Sequence, residues 1–138
     1  MNSVGGRQLV TIALLTGLLT SCSADDGPED GAAAAAVAFY THLAADEPTA
    51  ACSLLSSSTR TELESSAEAP CEQAVVEEDL PAPGGMRSAS RFGAMAQVRF
   101  AHDVVFLSRY GDGWHVVAAG CGLATSPAGT YDCAVTGV

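Results

Sequence analysis

The sequence predicts an α+β fold in which N-terminal helices pack on a curved antiparallel sheet. The first half of the chain carries apolar residues at helical spacing and is divided by Pro48 and Pro70. A breaker stretch at residues 80–85 follows, and beyond it apolar and polar residues alternate as they do in half-buried strands. Helices followed by a run of strands are typical of a sheet with its helices on one face.

The first 21 residues have the pattern of a secretory signal peptide. Residues 1–7 carry a positive charge at Arg7, and residues 9–18 are predominantly apolar. This run is too short for a membrane-spanning helix, which needs about 20 apolar residues. We therefore expect residues 1–21 to be removed.

The leader ends in Leu19-Thr20-Ser21-Cys22, which resembles the lipobox of bacterial lipoproteins. The resemblance implies that Cys22 receives a diacylglycerol group, becomes the mature N-terminus and binds membrane lipid. Two acyl chains suffice for stable anchoring. The expected location is the extracytoplasmic face of the cell membrane. The alternative is ordinary cleavage, with Cys22 free or in a disulfide.

The mature chain divides into a tether and one domain. Residues 22–31 are polar, acidic and punctuated by glycine and proline, which is typical of a flexible linker. Residues 32–138 are long enough for a single small α+β domain.

Four helices are expected in the first half of this domain. The first, over residues 32–45, is alanine-rich and places Ala36, Phe39, Tyr40 and Leu43 on one stripe that should face the core. Pro48 opens the second helix, and Pro70 opens the fourth. Thr59 with Glu62 predicts a capping box for a third helix over residues 60–66.

The second half predicts four strands, two of which form a hairpin. Residues 94–100 alternate as a half-buried strand, and residues 104–107 are apolar on both faces, which favours a central strand. A glycine-rich turn at residues 110–113 then leads into residues 114–119, which pair back as a hairpin. Residues 131–135 are expected to close the sheet.

Several of these segments together resemble small actinobacterial lipoproteins of the nuclear-transport-factor-2-like, cystatin-like superfamily. The segments are the Phe39-Tyr40 helix, residues 50–55, residues 113–121 and Tyr131-Asp132-Cys133. The resemblance implies a curved sheet wrapped around the first helices, with a pocket between them. It implies no activity, because this fold hosts isomerases, transport adaptors and binding modules.

Four cysteines remain once Cys22 is assigned to lipid, and in an oxidising compartment an even number indicates disulfides. Four cysteines allow three pairings. Their positions favour Cys52 with Cys71, both in the helical half, and Cys121 with Cys133, around a glycine-rich loop. A zinc or redox site is disfavoured, because no Cys-x-x-Cys occurs and no histidine has ligand spacing.

The charge of the chain restricts its partners. The net charge is −10, and the chain contains no lysine. Such a surface repels phosphate backbones, which disfavours nucleic-acid binding. A membrane lipid bound through Cys22, an envelope protein and a small apolar ligand remain as expected partners, and no cofactor motif is present.

The histidines are weak candidates for catalysis. Spacing places His42 nearly opposite the apolar stripe of its helix, and His102 lies beside Asp103 at a strand boundary. His115 is the neighbour of Trp114 in a predicted strand, where adjacent side chains point to opposite faces. If the Trp114 indole lies in the core, the His115 imidazole lies on the other face.

Among the acids, Asp103 and Asp132 lie near the sheet, and Asp132 is assigned to a closing turn beside Cys133. Asp103, Tyr40 and Arg99 are candidates to line a pocket, with Asp103 as a general base. An aspartate at the start of a strand is usually solvated. We therefore expect Asp103 to be largely exposed and Asp103→Asn to change stability by less than about 1 kcal/mol.

The favoured hypothesis is a non-enzymatic, membrane-anchored binding or accessory domain of the cell envelope. The alternative is a small isomerase or cyclase that uses a cavity carboxylate, and burial of Asp103 in a closed cavity facing Tyr40 would favour it. A third class, a structural partner in a larger complex, would show an exposed apolar patch of several hundred Å².

Overall fold

The computed structural model of the chain describes residues 28–122 and 129–137. Four helices precede five strands in the order of the sequence. The helices are α1 (Pro28–Ala44), α2 (Pro48–Ser53), α3 (Ser57–Ala67) and α4 (Cys71–Glu77). The strands are β1 (Met86–Phe92), β2 (Met95–Phe100), β3 (Val104–Tyr110), β4 (Gly113–Ala119) and β5 (Val135–Thr136). The architecture is α+β, as predicted.

Helix α1 buries the predicted stripe. Ala36, Phe39 and Tyr40 are buried, and Leu43 packs against them at the edge of the core. The helix begins at Pro28, four residues before the predicted start at Ala32, so it extends into the segment expected to be a tether. Proline is favoured in the first turn of a helix, because an N–H group there would have no intrahelical partner and its absence costs nothing.

Helices α2 and α4 begin where the prolines predict. Pro48 lies in the first turn of α2, and Pro70 caps α4. The Cys52–Cys71 disulfide joins the two helices, and both cysteines are buried. The bridge therefore forms part of the core.

Helix α3 begins earlier than predicted. The N-cap is Ser56 rather than Thr59, and the Ser56 hydroxyl accepts a hydrogen bond from the Thr59 N–H. Thr59 lies inside the first turn, where its hydroxyl donates to the Val117 carbonyl of β4. Serine and threonine are both favoured N-cap residues. Here the Thr59 hydroxyl is used for the contact with the sheet, and Thr59 lies inside the helix.

The sheet is an antiparallel meander with the strands in sequence order, so β3 is central, as predicted. Strand β1 was not predicted. Six of its seven residues are exposed, so its sequence lacks the alternation that marks a half-buried strand. Strand β5 has two residues, and only Val135 of it lies in the predicted segment 131–135.

The helices cover one face of the sheet. Their buried residues pack against alternate residues of the strands, among them Val98, Val105, Leu107 and Val116. This single core accounts for the helices lying together on one side.

The α2–α3 connection is joined to the edge of β4. Leu55 forms a parallel bridge with Val116, the Ser56 N–H donates to the Val116 carbonyl at 2.9 Å, and the Val116 N–H donates to the Leu54 carbonyl at 2.8 Å. The helical half and the sheet thus share backbone hydrogen bonds as well as side-chain packing.

The opposite face of the sheet carries a small second cluster. Val104, Ala118 and Cys121 are buried there, and Phe106, Tyr131 and Cys133 pack against them. The Cys121–Cys133 disulfide closes this cluster. The structure thus forms both disulfides in the pairing that the sequence favours.

The predicted signal peptide, Cys22 and residues 22–27 of the predicted tether lie outside the described residues. Within residues 28–122 and 129–137, none of the helices has the length and apolar character needed to cross a membrane.

Candidate functional site

Asp103 is buried, and the expectation that it is exposed was wrong. Only 1% of the residue is exposed. Its Oδ2 accepts hydrogen bonds from the Tyr40 hydroxyl and from the Gly120 N–H at 3.0 Å, and its Oδ1 accepts one from the Gly122 N–H at 2.9 Å. A buried carboxylate is tolerated because these donors replace water.

The phenol of Tyr40 is held in its neutral form. Burial, followed by the hydrogen bond to Asp103 and the charge of that carboxylate, raises the pKa of Tyr40 well above its ordinary value of 10.0. Tyr40 therefore serves as a hydrogen-bond donor and not as a base.

The carboxylate of Asp103 connects α1 to the chain that follows β4. Gly120 has a φ of +65°, and a Cβ at this position would lie 2.5 Å from Leu80 Cδ2. Glycine is thus required where the backbone turns its N–H toward Asp103. Next to it, Cys121 begins the second disulfide. Asp103 accordingly holds this turn and the bridge in place against α1.

The three residues predicted to line one pocket, Asp103, Tyr40 and Arg99, do not share one among the described clefts. Two clefts beside Tyr40, of about 300 and 220 Å³, are lined mainly by apolar residues and do not include Asp103. Arg99 donates from Nη1 to the Tyr131 hydroxyl at 3.0 Å. It alternates with the buried Val98 and Phe100, so it lies on the other face of the sheet from Tyr40. Asp103 and Tyr40 are thus brought together, and Arg99 is separated from them.

The larger of the two clefts beside Tyr40 is a candidate site for an apolar ligand. It lies between the last turns of α1 and the segment before β1, where Val37 and Met86 are exposed. Phe100 and Tyr40 form its inner wall, with their rings in an edge-to-face contact at 5.8 Å. An open apolar cleft of this kind has the character of a site for a small apolar ligand.

A third, more polar cleft of about 350 Å³ lies between the α2–α3 region and the β3–β4 hairpin. Arg60 of α3 and His115 of β4 both line it. His115 Nε2 lies 3.1 Å from Asp112 Oδ1, and the imidazole packs edge-on against the Tyr110 ring. Trp114, the neighbour of His115 in β4, packs against the main core instead.

Sequence reasoning did not select Arg60 or Asp112. The Asp112-Gly113-Trp114-His115 turn was visible in the sequence, and it places an acid and a histidine three residues apart across a tight hairpin. Nothing in the sequence indicated that α3 would lie beside this turn, because the Leu55–Val116 bridge that brings them together is non-local.

The other predicted polar residues, His42, His102 and Asp132, line none of the three clefts. His42 Nδ1 contacts Glu47 Oε2 at 2.6 Å at the end of α1, and His102 is exposed in the loop before β3. Asp132 is exposed beside Cys133. Over residues 28–122 and 129–137, no group of three or more His, Cys, Asp or Glu side chains is arranged to hold a metal ion.

Comparisons of the chain with protein-family models, with curated proteins and with solved structures give no match. The resemblance to the cystatin-like lipoproteins stays a prediction from the sequence.

Proposed function

We propose that the protein is a lipid-anchored, non-enzymatic binding or accessory domain on the extracytoplasmic side of the cell membrane. The observation that carries the proposal is the use of its five cysteines. Four of them form two disulfides within the folded domain, which leaves Cys22, in the lipobox-like sequence, for the lipid. Disulfides of this kind persist in oxidising compartments outside the cytoplasm.

The environment of Asp103 supports a binding role over catalysis. A general base needs a lone pair that reaches the substrate. The oxygens of Asp103 already accept three hydrogen bonds from the protein, two of them from backbone N–H groups. Asp103 is also only 1% exposed and lines neither cleft beside Tyr40, so a substrate in those clefts would not reach its carboxylate and the isomerase or cyclase alternative loses its best candidate.

The surface offers places for both kinds of expected partner. The polar cleft and the larger cleft beside Tyr40 have the size of small-molecule sites. An envelope protein would meet exposed apolar side chains on the β1–β2 hairpin, at Met86, Phe92 and Met95.

The anchor is tested by expressing the full chain and its Cys22→Ala variant in a bacterium that processes lipoproteins. The wild-type protein should partition into detergent, and its N-terminal peptide should carry the mass of a diacylglycerol. Cys22→Ala should yield uncleaved precursor or protein without lipid.

Ser21→Ala is the matched control, because it keeps a small residue before the cysteine and should be processed as the wild type is. Recovery of the wild-type protein entirely from the culture medium, without acyl mass, would contradict the proposal.

A further inference from the structure

One end of the sheet carries a cluster of exposed apolar side chains. Phe92, Met95 and Tyr110 are 66%, 48% and 46% exposed. Phe92 pairs with Met95 across the β1–β2 turn, and Met95 pairs in turn with Ser108, two residues before Tyr110. Because Met95 is the neighbour of Ala96, which packs in the main core, all three side chains lie on the face that the helices leave open. We call Phe92, Met95 and Tyr110 the apolar tip.

Helix α1 begins at this same end of the domain. A Cβ on Gly31 would lie 3.1 Å from Trp114 Cδ1, and Trp114 follows the β3–β4 turn. In an antiparallel meander the β1–β2 and β3–β4 turns lie at one end of the sheet. The last turns of α1 instead line the larger cleft beside Tyr40, with Met86 and Phe100 at the opposite end of the β1–β2 hairpin. The first turn of α1 therefore lies at the end that bears the apolar tip.

The proposed anchor is attached close to this end. Cys22 lies six residues before Pro28, where α1 begins, and six residues span at most about 22 Å even when fully extended. A lipid on Cys22 thus holds the tip end of the domain near the membrane surface. Contact between the tip and the bilayer is then intramolecular, so that a weak affinity is enough to maintain it.

The chemistry of this end suits a lipid surface. The β1–β2 hairpin contains no aspartate or glutamate, and Arg91 is exposed beside Phe92. Aromatic and apolar side chains partition into the interfacial region of a bilayer, and arginine reaches its headgroups. Acids are nearby, at Asp112 in the β3–β4 turn and at Glu29 and Asp30 in the first turn of α1. The apolar side chains, and not a net positive charge, therefore favour the contact, and a zwitterionic bilayer is sufficient.

From this arrangement we infer that the apolar tip inserts into the interfacial region of the membrane that holds Cys22. A lipid surface is favoured over an envelope protein for Phe92 and Met95, because they lie at the end where the anchor attaches. Met86, at the other end of β1, is left for a protein partner. The larger cleft beside Tyr40 then lies at the end of the domain away from the bilayer.

The inference rests on the proposed anchor, and the two are measured separately. The mass of the N-terminal peptide reports the lipid on Cys22, and contact of the tip with the bilayer is measured by fluorescence. A wild-type chain without acyl mass would contradict the anchor and this inference with it. A lipidated chain whose tip does not touch lipid would contradict this inference alone.

The test uses the full, lipidated chain reconstituted into phosphatidylcholine vesicles. Phe92→Trp places an indole at the tip, and Met86→Trp is the matched control, because Met86 is 50% exposed at the other end of β1. Trp114, the one native tryptophan, contributes to both variants and is subtracted with the wild type. Phosphatidylcholine brominated on its acyl chains should quench most of the added fluorescence of Phe92→Trp and little of that of Met86→Trp.

A charge placed in the turn should abolish this contact. Ala94→Glu, introduced into the Phe92→Trp protein, adds a carboxylate to the exposed turn between Phe92 and Met95, and a charged group is costly to bury in a bilayer. Quenching should fall to the level of Met86→Trp. Ser88→Glu in the same background is the control, since it adds the same charge at an exposed position nearer the other end of β1, and it should leave the quenching unchanged.

Near-ultraviolet circular dichroism would establish that each variant is folded. The inference is overturned if bromolipid quenches Phe92→Trp no more than Met86→Trp in the lipidated protein, a result that would leave the tip to an envelope protein. It is also overturned if folded Ala94→Glu leaves the quenching of Phe92→Trp unchanged.

Discussion

The Tyr40 hydroxyl donates a hydrogen bond to the Asp103 carboxylate across 63 residues of sequence, and both side chains are buried. The same carboxylate receives the N–H groups of Gly120 and Gly122. One acidic side chain thus joins the first helix, the start of the central strand and the turn that carries the second disulfide.

Replacing this acid should destabilise the domain. Asp103→Asn substitutes an N–H₂ group for one acceptor oxygen and so places a donor against a donor. We expect the free energy of unfolding in urea to fall by about 2–3 kcal/mol. Glu62→Gln, on the exposed side of α3, should change it by less than about 0.5 kcal/mol. Equal stabilities of Asp103→Asn and the wild type would show that the buried hydrogen bonds contribute little.

The raised pKa of Tyr40 predicts a loss of stability at alkaline pH. The folded state keeps the phenol neutral, so its stabilising contribution is complete below the ordinary pKa of 10.0 and decreases as the pH rises above it. Between pH 8 and pH 10.5 the wild type should lose about 1 kcal/mol more of its free energy of unfolding than Tyr40→Phe. Tyr110 and Tyr131 are present in both proteins, so their effects cancel in this comparison. Parallel pH profiles would argue against the neutral, buried phenol.

The N-cap of α3 should be measurable by substitution. Ser56→Ala removes the oxygen that accepts from the Thr59 N–H, and its expected cost in chemical denaturation is about 1–2 kcal/mol. Ser65→Ala, at an exposed position later in the same helix, should be neutral or slightly stabilising, because alanine favours helix. A neutral Ser56→Ala would place the start of α3 elsewhere.

The two disulfides should each stabilise the domain by a similar amount. They join cysteines 19 and 12 residues apart. In the chain-entropy description, loops of this length contribute about 3 kcal/mol each. Thermal unfolding should be measured for two double variants, Cys52→Ala with Cys71→Ala and Cys121→Ala with Cys133→Ala. Each double variant is the control for the other. Non-reducing peptide mapping of the wild type should find only these two links, and a link from Cys52 to Cys121 would contradict the fold.

The sequence predicted the elements that local patterns define. Periodicity or a helix-breaking residue is visible without tertiary contacts in three places. These are the stripe of α1, the prolines that begin α2 and α4, and the apolar run of β3. Strand β1 could not be predicted in this way. Its residues are mostly exposed on both faces, and it is held by backbone pairing with β2.

The surroundings of Asp103 and the polar cleft could not be predicted from the sequence, for a related reason. The sequence around Asp103 resembles that of a solvated loop, whereas the groups that make its burial favourable come from α1 and from the turn after β4. Arg60 and His115 likewise line one cleft only because α3 packs beside β4. A pattern within one segment carries no information about such partners.

The bridge between Leu55 and Val116 also has a consequence for how the domain folds. Like the hydrogen bond from Thr59 to Val117, which spans 58 residues, it closes a long loop whose entropy must be overcome before the packing around it forms. Non-local contacts of this kind slow folding, and we expect the helical half to consolidate only when β4 is in place. We expect α3 and β4 then to open as one cooperative unit, so native-state hydrogen exchange should give their protected amides a common free energy of opening.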